Sequence, residues 1–293
     1  MKVLWKNIFL GLSLALIVIW MAVFAYPEKK LHLIACGVGQ GDAILAVYGT
    51  TQILIDGGAT NKVIDCLGRH MPFWDRKIEV VLLSHPQLDH FGGLSEVFKR
   101  FQVERFVATS LDSSSQAYQA LISMVGGSGV QVINPTTGMV IRSGLLYLDI
   151  VWPLSDFLTA AGGVSGGKVL GAFTSKKDPN NFSVVANLRL GEFDAFLTGD
   201  IGPQVIGEII QTGKTRDVEY IKVPHHGSKN GLTKELLDAT TPEVAVISVG
   251  KNSFGHPHKE ILDLLNEYGI QVKRTDEDGD VEVISDGKSW WIE

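Results

Sequence analysis

Short apolar runs alternate with polar, glycine-containing loops along most of the chain, a pattern typical of buried strands separated by turns. The predicted strands are 31–35, 43–48, 52–56, 78–84, 105–109, 131–133, 139–141, 145–151, 183–190, 193–198, 218–223 and 244–249. Amphipathic stretches between them predict helices at 62–69, 93–101, 114–124, 203–211, 234–238 and 259–268. Two halves that each mix strands with helices predict two sheets packed face to face, with the helices outside.

Two segments depart from this alternation. Residues 155–180 contain five glycines and predict a long loop, a feature that is often functional in compact domains. Val272–Glu293 predicts a small β-meander with a turn at Asp278–Asp280.

The first segment of the chain has a different character. Asn7–Pro27 is a stretch of 21 residues without a charge, apolar on every face, and Lys2 and Lys6 precede it. A membrane-spanning helix needs about 20 mostly apolar residues, whereas the apolar core of a cleaved signal is about 7–15. The segment lacks a small-x-small cleavage site, so we predict an uncleaved transmembrane anchor at 1–27 and one domain at 28–293.

The orientation follows from the position of the anchor. A short segment ahead of the first helix usually stays inside, although Lys29 and Lys30 after the helix weaken the charge bias. We therefore predict a single-pass protein of the cell membrane whose domain lies on the extracytoplasmic side.

Charge and cysteine content narrow the function. The formal net charge of −6 argues against a protein that coats nucleic acid through bulk charge, but a metal could still supply local positive charge to a phosphate substrate. The two cysteines, Cys36 and Cys66, cannot form a zinc cluster alone. Their spacing favours no disulfide, so we expect buried free thiols.

Residues suited to bind a metal follow several of the predicted strands. They are His85, Asp89 and His90 after the strand at 78–84, Asp200 after 193–198, His225 and His226 after 218–223, and His256 and His258 after 244–249. Six of the eight histidines fall in these clusters. Convergence of imidazoles and carboxylates at strand ends predicts a catalytic metal site.

Seven motifs in this order resemble the metallo-β-lactamase fold, and most closely the extracytoplasmic domain of the ComEC competence family. They are Gly37–Ala43, Leu54–Gly58, Leu83–Gly93, Asn180–Ser183, Leu197–Ile201, Lys222–Ser228 and Gly255–Pro257, and Arg274–Gly279 also fits. The resemblance covers about residues 31–293 and implies an α/β fold, an αββα sandwich. The predicted fold class is this sandwich preceded by the transmembrane helix, which the apolar segment indicates.

The resemblance also implies a ligand set. Asp89, His90, Asp200 and His226 would form the stronger metal position. His85, Gln87 and Asn181, with Asp200 as a bridge, would form the weaker one. Gln87 and Asn181 stand where the general fold has histidines, and amide oxygens suit manganese or magnesium better than zinc. We expect one firmly held divalent ion and a second held weakly or with substrate, with manganese or zinc preferred and magnesium the third candidate.

Other residues around this set receive supporting roles. Asp56 would orient the ligand loop, and His225 would do the same or replace His226 as the ligand. His256 would bind a phosphate or donate a proton to the leaving group. Ser228 and Asn252 are candidates for binding substrate oxygens, and His258 is assigned to the solvated face of a helix.

The leading functional hypothesis is a metal-dependent hydrolase of phosphodiesters, a phosphodiesterase or nuclease, in which Asp89 orients the attacking water. ComEC-like proteins imply DNA as substrate during uptake, with a separate channel protein as partner, since this chain has one membrane helix at most. The alternative is a catalytically weak or inactive binding module that serves such a channel. Hydrolysis of β-lactams or thioesters is disfavoured, and the sequence predicts no oligomeric state.

Overall fold

The computed structural model describes residues 2–24, 27–164 and 166–293. Its α-helices are α1 (Lys2–Phe24), α2 (Lys62–His70), α3 (Leu88–Phe91), α4 (Leu94–Arg100), α5 (Gln116–Gly127), α6 (Ser155–Ala160), α7 (Pro203–Gln211), α8 (Lys234–Thr240), α9 (Lys259–Glu267) and α10 (Thr275–Asp278). Its strands are β1 (Leu31–Ala35), β2 (Ile44–Tyr48), β3 (Thr51–Ile55), β4 (Lys77–Leu82), β5 (Gln102–Val107), β6 (Gln131–Ile133), β7 (Val140–Ser143), β8 (Leu146–Trp152), β9 (Val185–Leu190), β10 (Phe193–Leu197), β11 (Tyr220–Lys222), β12 (Val244–Ile247), β13 (Gln271–Arg274), β14 (Val281–Ser285) and β15 (Trp290–Ile292). Two 3₁₀ helices span Pro179–Phe182 and Pro224–Gly227.

The strands form two mixed sheets. The first has the order β15-β14-β1-β2-β3-β4-β5-β6, and the second has the order β13-β12-β11-β10-β9-β8-β7. The pairs from β3 to β6 and from β10 to β13 are parallel, and the remaining pairs are antiparallel. Parallel strands are buried on both faces, which explains the apolar run Val80–Leu82 in β4 and the apolar side chains throughout β12.

Apolar side chains fill the space between the sheets and the space outside each sheet. Leu33 of the first sheet and Leu188 of the second lie in the central core. On the outer face of the first sheet, α2, α4 and α5 bury side chains such as Leu67. On the outer face of the second, α7, α8 and α9 bury side chains such as Ile209. Each such side chain stabilises the fold by about 1.5–3 kcal/mol, so this burial fixes the four αββα layers.

The layering brings the carboxyl ends of the parallel strands to one edge of the sandwich. β3 and β4 end there in the first sheet, and β10, β11 and β12 end there in the second. The backbone N–H of Val184 donates to the carbonyl of Ser84 at 2.8 Å and joins the two sheets at this edge. The loops that follow these strands carry the predicted ligands, so the fold assembles a site there.

Two segments of the domain differ from the sequence prediction. Residues 155–180 contain the short helix α6 and the start of a 3₁₀ helix rather than only loop, and residue 165 lies outside the described residues. The predicted meander is wrong: β13 joins the second sheet beside β12, whereas β14 and β15 join the first sheet beside β1. The helix α10 carries the chain from one sheet to the other.

The first segment is helical in α1, and its large apolar side chains from Trp5 to Trp20 are exposed. Across residues 2–24, 27–164 and 166–293, no helix has both the length and the apolar character required to cross a bilayer. Residues 25 and 26, where the predicted anchor ends, lie outside the described residues. The transmembrane anchor stays a prediction.

The prediction of free thiols is wrong, because Cys36 and Cys66 form a disulfide with their Cα atoms 5.9 Å apart. Cys36 follows β1 and Cys66 lies on α2, so the disulfide ties the first sheet to a helix on its outer face. Both residues are buried. The pairing depends on how α2 packs against the sheet, which spacing along the chain does not reveal.

Replacing both cysteines with serine should lower the free energy of unfolding by about 3–4 kcal/mol. A crosslink between residues 30 apart restricts the unfolded chain, and the loop-entropy relation gives this magnitude. Urea denaturation of the full chain measures the effect. Dithiothreitol should destabilise the wild type by a similar amount and leave the double variant unchanged. Equal stability of the wild type and the variant would contradict the expectation.

Candidate metal centre

Four side chains converge at the edge where the parallel strands end. Ligand atoms of Asp89, His90, Asp200 and His226 all lie within 4.8 Å of one another. Asp200 Oδ2 lies 3.2 Å from His90 Nε2 and 3.1 Å from His226 Nε2, and Asp89 Oδ2 lies 3.4 Å from His226 Nε2. Ligands about 2.1 Å from a tetrahedral ion stand about 3.4 Å apart, so these spacings fit one metal position.

One ring nitrogen of each histidine in this cluster, Nε2, lacks a hydrogen-bond partner within the described parts of the chain. Among the described residues, Nε2 of His90 and Nε2 of His226 are buried without one, although carboxylate oxygens lie close. Buried polar atoms normally have a hydrogen-bond partner. Ligand atoms of a metal site instead face a common point, and the two Nε2 atoms are arranged in this way.

Contacts at the other ring nitrogens fix both imidazoles. His90 Nδ1 lies 2.8 Å from Asp56 Oδ2, and His226 Nδ1 lies 2.8 Å from the carbonyl oxygen of Ser248. A carbonyl oxygen only accepts, so His226 donates from Nδ1, and its Nε2 faces the cluster. Partners of this kind orient metal-binding histidines in proteins.

Asp56 lies directly after β3 and supports the ligand loop. Its carboxylate accepts hydrogen bonds from the backbone N–H and the hydroxyl of Ser84, both at 2.7 Å, as well as contacting His90. Asp56 has φ of 60°, which is in the left-handed region. The geometry therefore matches the predicted orienting role of Asp56, since one buried carboxylate joins the end of β3 to the loop after β4.

His85 lies next to the cluster, and its Nε2 is also buried without a partner among the described residues. The centroids of the His85 and His90 rings are 4.2 Å apart. Burial and the neighbouring His90 lower the pKa of His85 to about 3, so its imidazole is neutral and keeps a lone pair for a ligand.

The two predicted amide ligands, Gln87 and Asn181, differ in the contacts that they make. The Gln87 side chain hydrogen-bonds His85, and Gln87 precedes α3 without a side-chain cap. The described contacts of Asn181 are those of its backbone: its N–H donates to the carbonyl of Asp178 at 3.1 Å, and its carbonyl accepts from the indole of Trp152 at 2.8 Å. The hydroxyl of Ser183 lies 3.3 Å from His85 Nδ1 instead. The described contacts at this second position therefore come from Gln87 and Ser183, and Asn181 stays a prediction.

A buried lysine, Lys222, lies beneath the cluster at the end of β11. Its ammonium group donates to the carbonyl of Gly199 at 2.9 Å and to Asp200 Oδ1 at 3.2 Å, and it forms an ion pair with Asp42. Lys222 holds one carboxylate oxygen of Asp200, while the other oxygen faces the histidines.

The turn that contains Gly41 packs closely against the ligand loop. A Cβ at Gly41 would lie 2.2 Å from the carbonyl oxygen of Asp89, so only glycine lets this turn approach the loop.

The field of the carboxylates favours positive charge at the cluster. Burial, the largest single influence, opposes protonation of His90 and His226, but Asp200 together with Asp56 at His90, and with Asp42 at His226, raises the pKa of each well above its usual range. Burial likewise opposes ionisation of Asp200, but His226 and His90 hold its pKa well below its usual range. The Lys222 ammonium pairs with Asp42 and Asp200, and among the described residues Asp89 pairs with no lysine or arginine, so a divalent cation fits the set Asp89, His90, Asp200 and His226.

The structure separates the neighbouring histidines that follow β11. His225 and His226 have φ of 51° and 55°, which turns successive side chains to different environments. His226 is buried within the cluster, whereas His225 is only partly buried and packs edge-on against His256, with ring centroids 5.7 Å apart. The geometry favours His226 as the ligand.

The remaining predicted residues lie around the rim. The His256 ring centroid is 6.5 Å from that of His226, and burial with the nearby His225 lowers the pKa of His256 to about 4. A neutral imidazole favours a hydrogen bond to phosphate over proton donation to a leaving group. The Ser228 hydroxyl accepts from the N–H of Asn230 at 3.2 Å. His258 is not on a solvated face, because it is partly buried against His256.

The four αββα layers and the His/Asp cluster at one edge define a metallohydrolase-like domain. Residues 36–251 match the model of the metallo-beta-lactamase superfamily, and the chain belongs to that superfamily. This fold implies binding of a divalent metal, and the cluster provides candidate ligands. The αββα fold predicted from the motifs is confirmed.

Relatives of this chain include competence proteins. ComE operon protein 3 of Bacillus subtilis (strain 168) is 26% identical over 283 residues, which are 89% of this chain and 34% of that protein. Competence protein ComA of Neisseria gonorrhoeae is 32% identical over 263 residues, 87% of this chain and 32% of that protein. The chain thus spans about a third of these relatives, and the predicted resemblance to the ComEC family is confirmed.

A solved structure supports the fold independently. The metallo-beta-lactamase fold protein YhfI from Bacillus subtilis superposes with a TM-score of 0.53 at 10% identity, over 86% of this chain and 99% of that chain. At this identity the likeness shows the fold alone.

Sequence reasoning included Lys222 and Ser183 in the family motifs but gave neither residue a role at the site. Lys222 is a charged residue inside the apolar run of β11, and a buried charge requires a partner, which was a usable signal. The role of Ser183 is not visible in the sequence, because its contact with His85 joins loops next to strands of different sheets.

Proposed function

We propose that this protein is a metal-dependent phosphodiesterase that acts on DNA. The observation that carries the proposal is the convergence of Asp89, His90, Asp200 and His226, whose histidine Nε2 atoms are buried without hydrogen-bond partners among the described residues. The relatives named as competence proteins favour DNA among the phosphodiesters.

Each residue has a defined task in this proposal. A divalent ion held by these four side chains would supply Lewis-acid activation of water and charge stabilisation at phosphorus. Asp89, whose side chain is 31% exposed, would orient the attacking water from the open side of the cluster. His256 would donate a hydrogen bond to a phosphate oxygen, and Asp56 and Ser248 would hold the ligand imidazoles.

We also propose that the domain works outside the cytoplasmic membrane. The exposed apolar side chains of α1 suit an anchor in a bilayer. The Cys36–Cys66 disulfide suits an oxidising compartment. In this location the protein would degrade or process DNA during uptake, beside a separate channel protein.

The test is turnover of bis(p-nitrophenyl) phosphate by the metal-stripped full chain after addition of manganese, zinc or magnesium. We expect metal-dependent turnover, followed by cleavage of single-stranded or duplex DNA. His226→Ala should lose bound metal and turnover by about 100-fold or more, since it removes a buried ligand. His225→Ala is the matched control, because both residues lie in the same left-handed turn, and it should retain bound metal.

Other results would assign the protein differently. Folded protein that turns over no diester with any of the three ions would contradict the hydrolase and favour the binding module that serves a channel. Loss of metal in His225→Ala but not in His226→Ala would exchange the two assignments.

A further inference from the structure

The loop between β12 and α9 carries an exposed aromatic ring beside the cluster. The side chain of Phe254 is 67% exposed. Its ring stacks on the imidazole of His256, with centroids 5.6 Å apart and an interplanar angle of 28°. One face of the phenyl ring is therefore supported, and most of the side chain remains open to solvent.

Hydrogen bonds brace this loop from within. Asn252 Nδ2 donates to the carbonyl oxygens of Gly250 and His256 at 2.8 and 2.9 Å. Asn252 Oδ1 accepts from the backbone N–H groups of Phe254 and His256 at 3.0 and 3.1 Å. The amide is fully engaged, so Asn252 acts as a brace rather than as the predicted substrate ligand. Phe254 is consequently held in place, which lowers the entropic cost of using it to bind a ligand.

His256 connects the ring of Phe254 to the proposed catalytic cluster. His256 stacks on Phe254 and also lies against His226, with those centroids 6.5 Å apart and an interplanar angle of 31°. A group stacked on Phe254 would therefore lie beside a phosphodiester at the cluster. Lys251, in the same loop, forms no ion pair within the described parts of the chain and suits an anionic backbone.

We propose that Phe254 is a stacking platform for a nucleobase, and that it selects nucleic acid among phosphodiesters. The inference rests on the proposed hydrolysis of DNA and names how that site recognises its substrate. Every base has a flat π-face, so the platform would bind single-stranded DNA with little sequence preference. A phosphodiester without a base or another aromatic ring would gain nothing from this ring.

The platform is tested by measuring how tightly the protein binds a short single-stranded oligothymidylate. The oligonucleotide is fluorescently labelled and has a phosphorothioate backbone, which resists hydrolysis. Fluorescence anisotropy gives the dissociation constant for the full chain in manganese. Phe254→Ala should raise it by about 5- to 150-fold, which corresponds to the loss of one base–aromatic stack. Phe254→Trp should restore binding. The same oligonucleotide with abasic sites should bind wild type and Phe254→Ala equally.

Phe73 provides a matched control. It is 78% exposed and lies in the turn before β4, whereas His85 follows the other end of that strand. Phe73→Ala should leave oligothymidylate binding unchanged. An unchanged dissociation constant in Phe254→Ala, or an equal loss with the abasic oligonucleotide, would overturn the platform.

Turnover of bis(p-nitrophenyl) phosphate by the wild type separates this inference from the proposed function. If the wild type turns over the diester but Phe254→Ala binds DNA as tightly as the wild type, the hydrolase is supported and the platform is contradicted. If DNA binding depends on Phe254 but the wild type turns over no diester, the platform is supported and the hydrolase is contradicted.

Discussion

Asp200→Asn should raise the dissociation constant for manganese by about 100-fold or more and abolish diester turnover. Asp200 Oδ2 lies 3.2 Å from His90 Nε2 and 3.1 Å from His226 Nε2, so this oxygen faces the centre of the ligand set. Removing one partner from a buried charged cluster costs about 3–5 kcal/mol. Isothermal titration calorimetry and metal content after dialysis measure the loss directly.

The matched control for Asp200→Asn is Asp194→Asn. Asp194 lies on β10, the strand that leads to Asp200, and its nearest cation is Arg216, with Nη1 3.6 Å from Asp194 Oδ1. This variant should bind manganese as the wild type does. Circular dichroism should show both variants folded. Full metal content and turnover in Asp200→Asn would refute the assignment of the site.

Lys222→Met should lower the free energy of unfolding of the metal-free protein by about 3–5 kcal/mol. The ammonium group is buried and is paired with Asp42 and Asp200. Methionine keeps much of the apolar length but leaves two carboxylates buried without their cation, which is the costly way to break a buried pair. Urea denaturation after treatment with a chelator measures the change.

Two comparisons isolate the buried charge. Lys77→Met removes a partly exposed lysine of β4 that pairs with Glu79 and Glu104, and it should cost about 0–1 kcal/mol. Adding Asp42→Asn to Lys222→Met should recover part of the loss, because the two side chains are directly coupled. A Lys222→Met variant as stable as Lys77→Met would show that the cluster does not need the ammonium group.

The alternation of apolar runs and polar loops determined most of the fold from sequence. Strands such as β4 and β12 overlap the runs that predict them, because burial on both faces requires apolar side chains, as at Val80–Leu82 and throughout β12. The order of motifs also placed the metal ligands after these strands. Asp89, His90, Asp200 and His226 were proposed from the motifs, and the structure brings the four together.

The tertiary structure alone decided which distant residues meet. The Cys36–Cys66 disulfide depends on how α2 packs on the first sheet, and the separation of β13 from β14 depends on which sheet offers each strand a partner. The choice between His225 and His226 depends on a left-handed turn. Local pattern encodes whether a segment is buried, but contacts between chain segments are fixed only when layers pack. The sequence therefore specified the layers and the candidate ligands. Tertiary packing determined the contacts of Lys222, the disulfide and the geometry of the cluster.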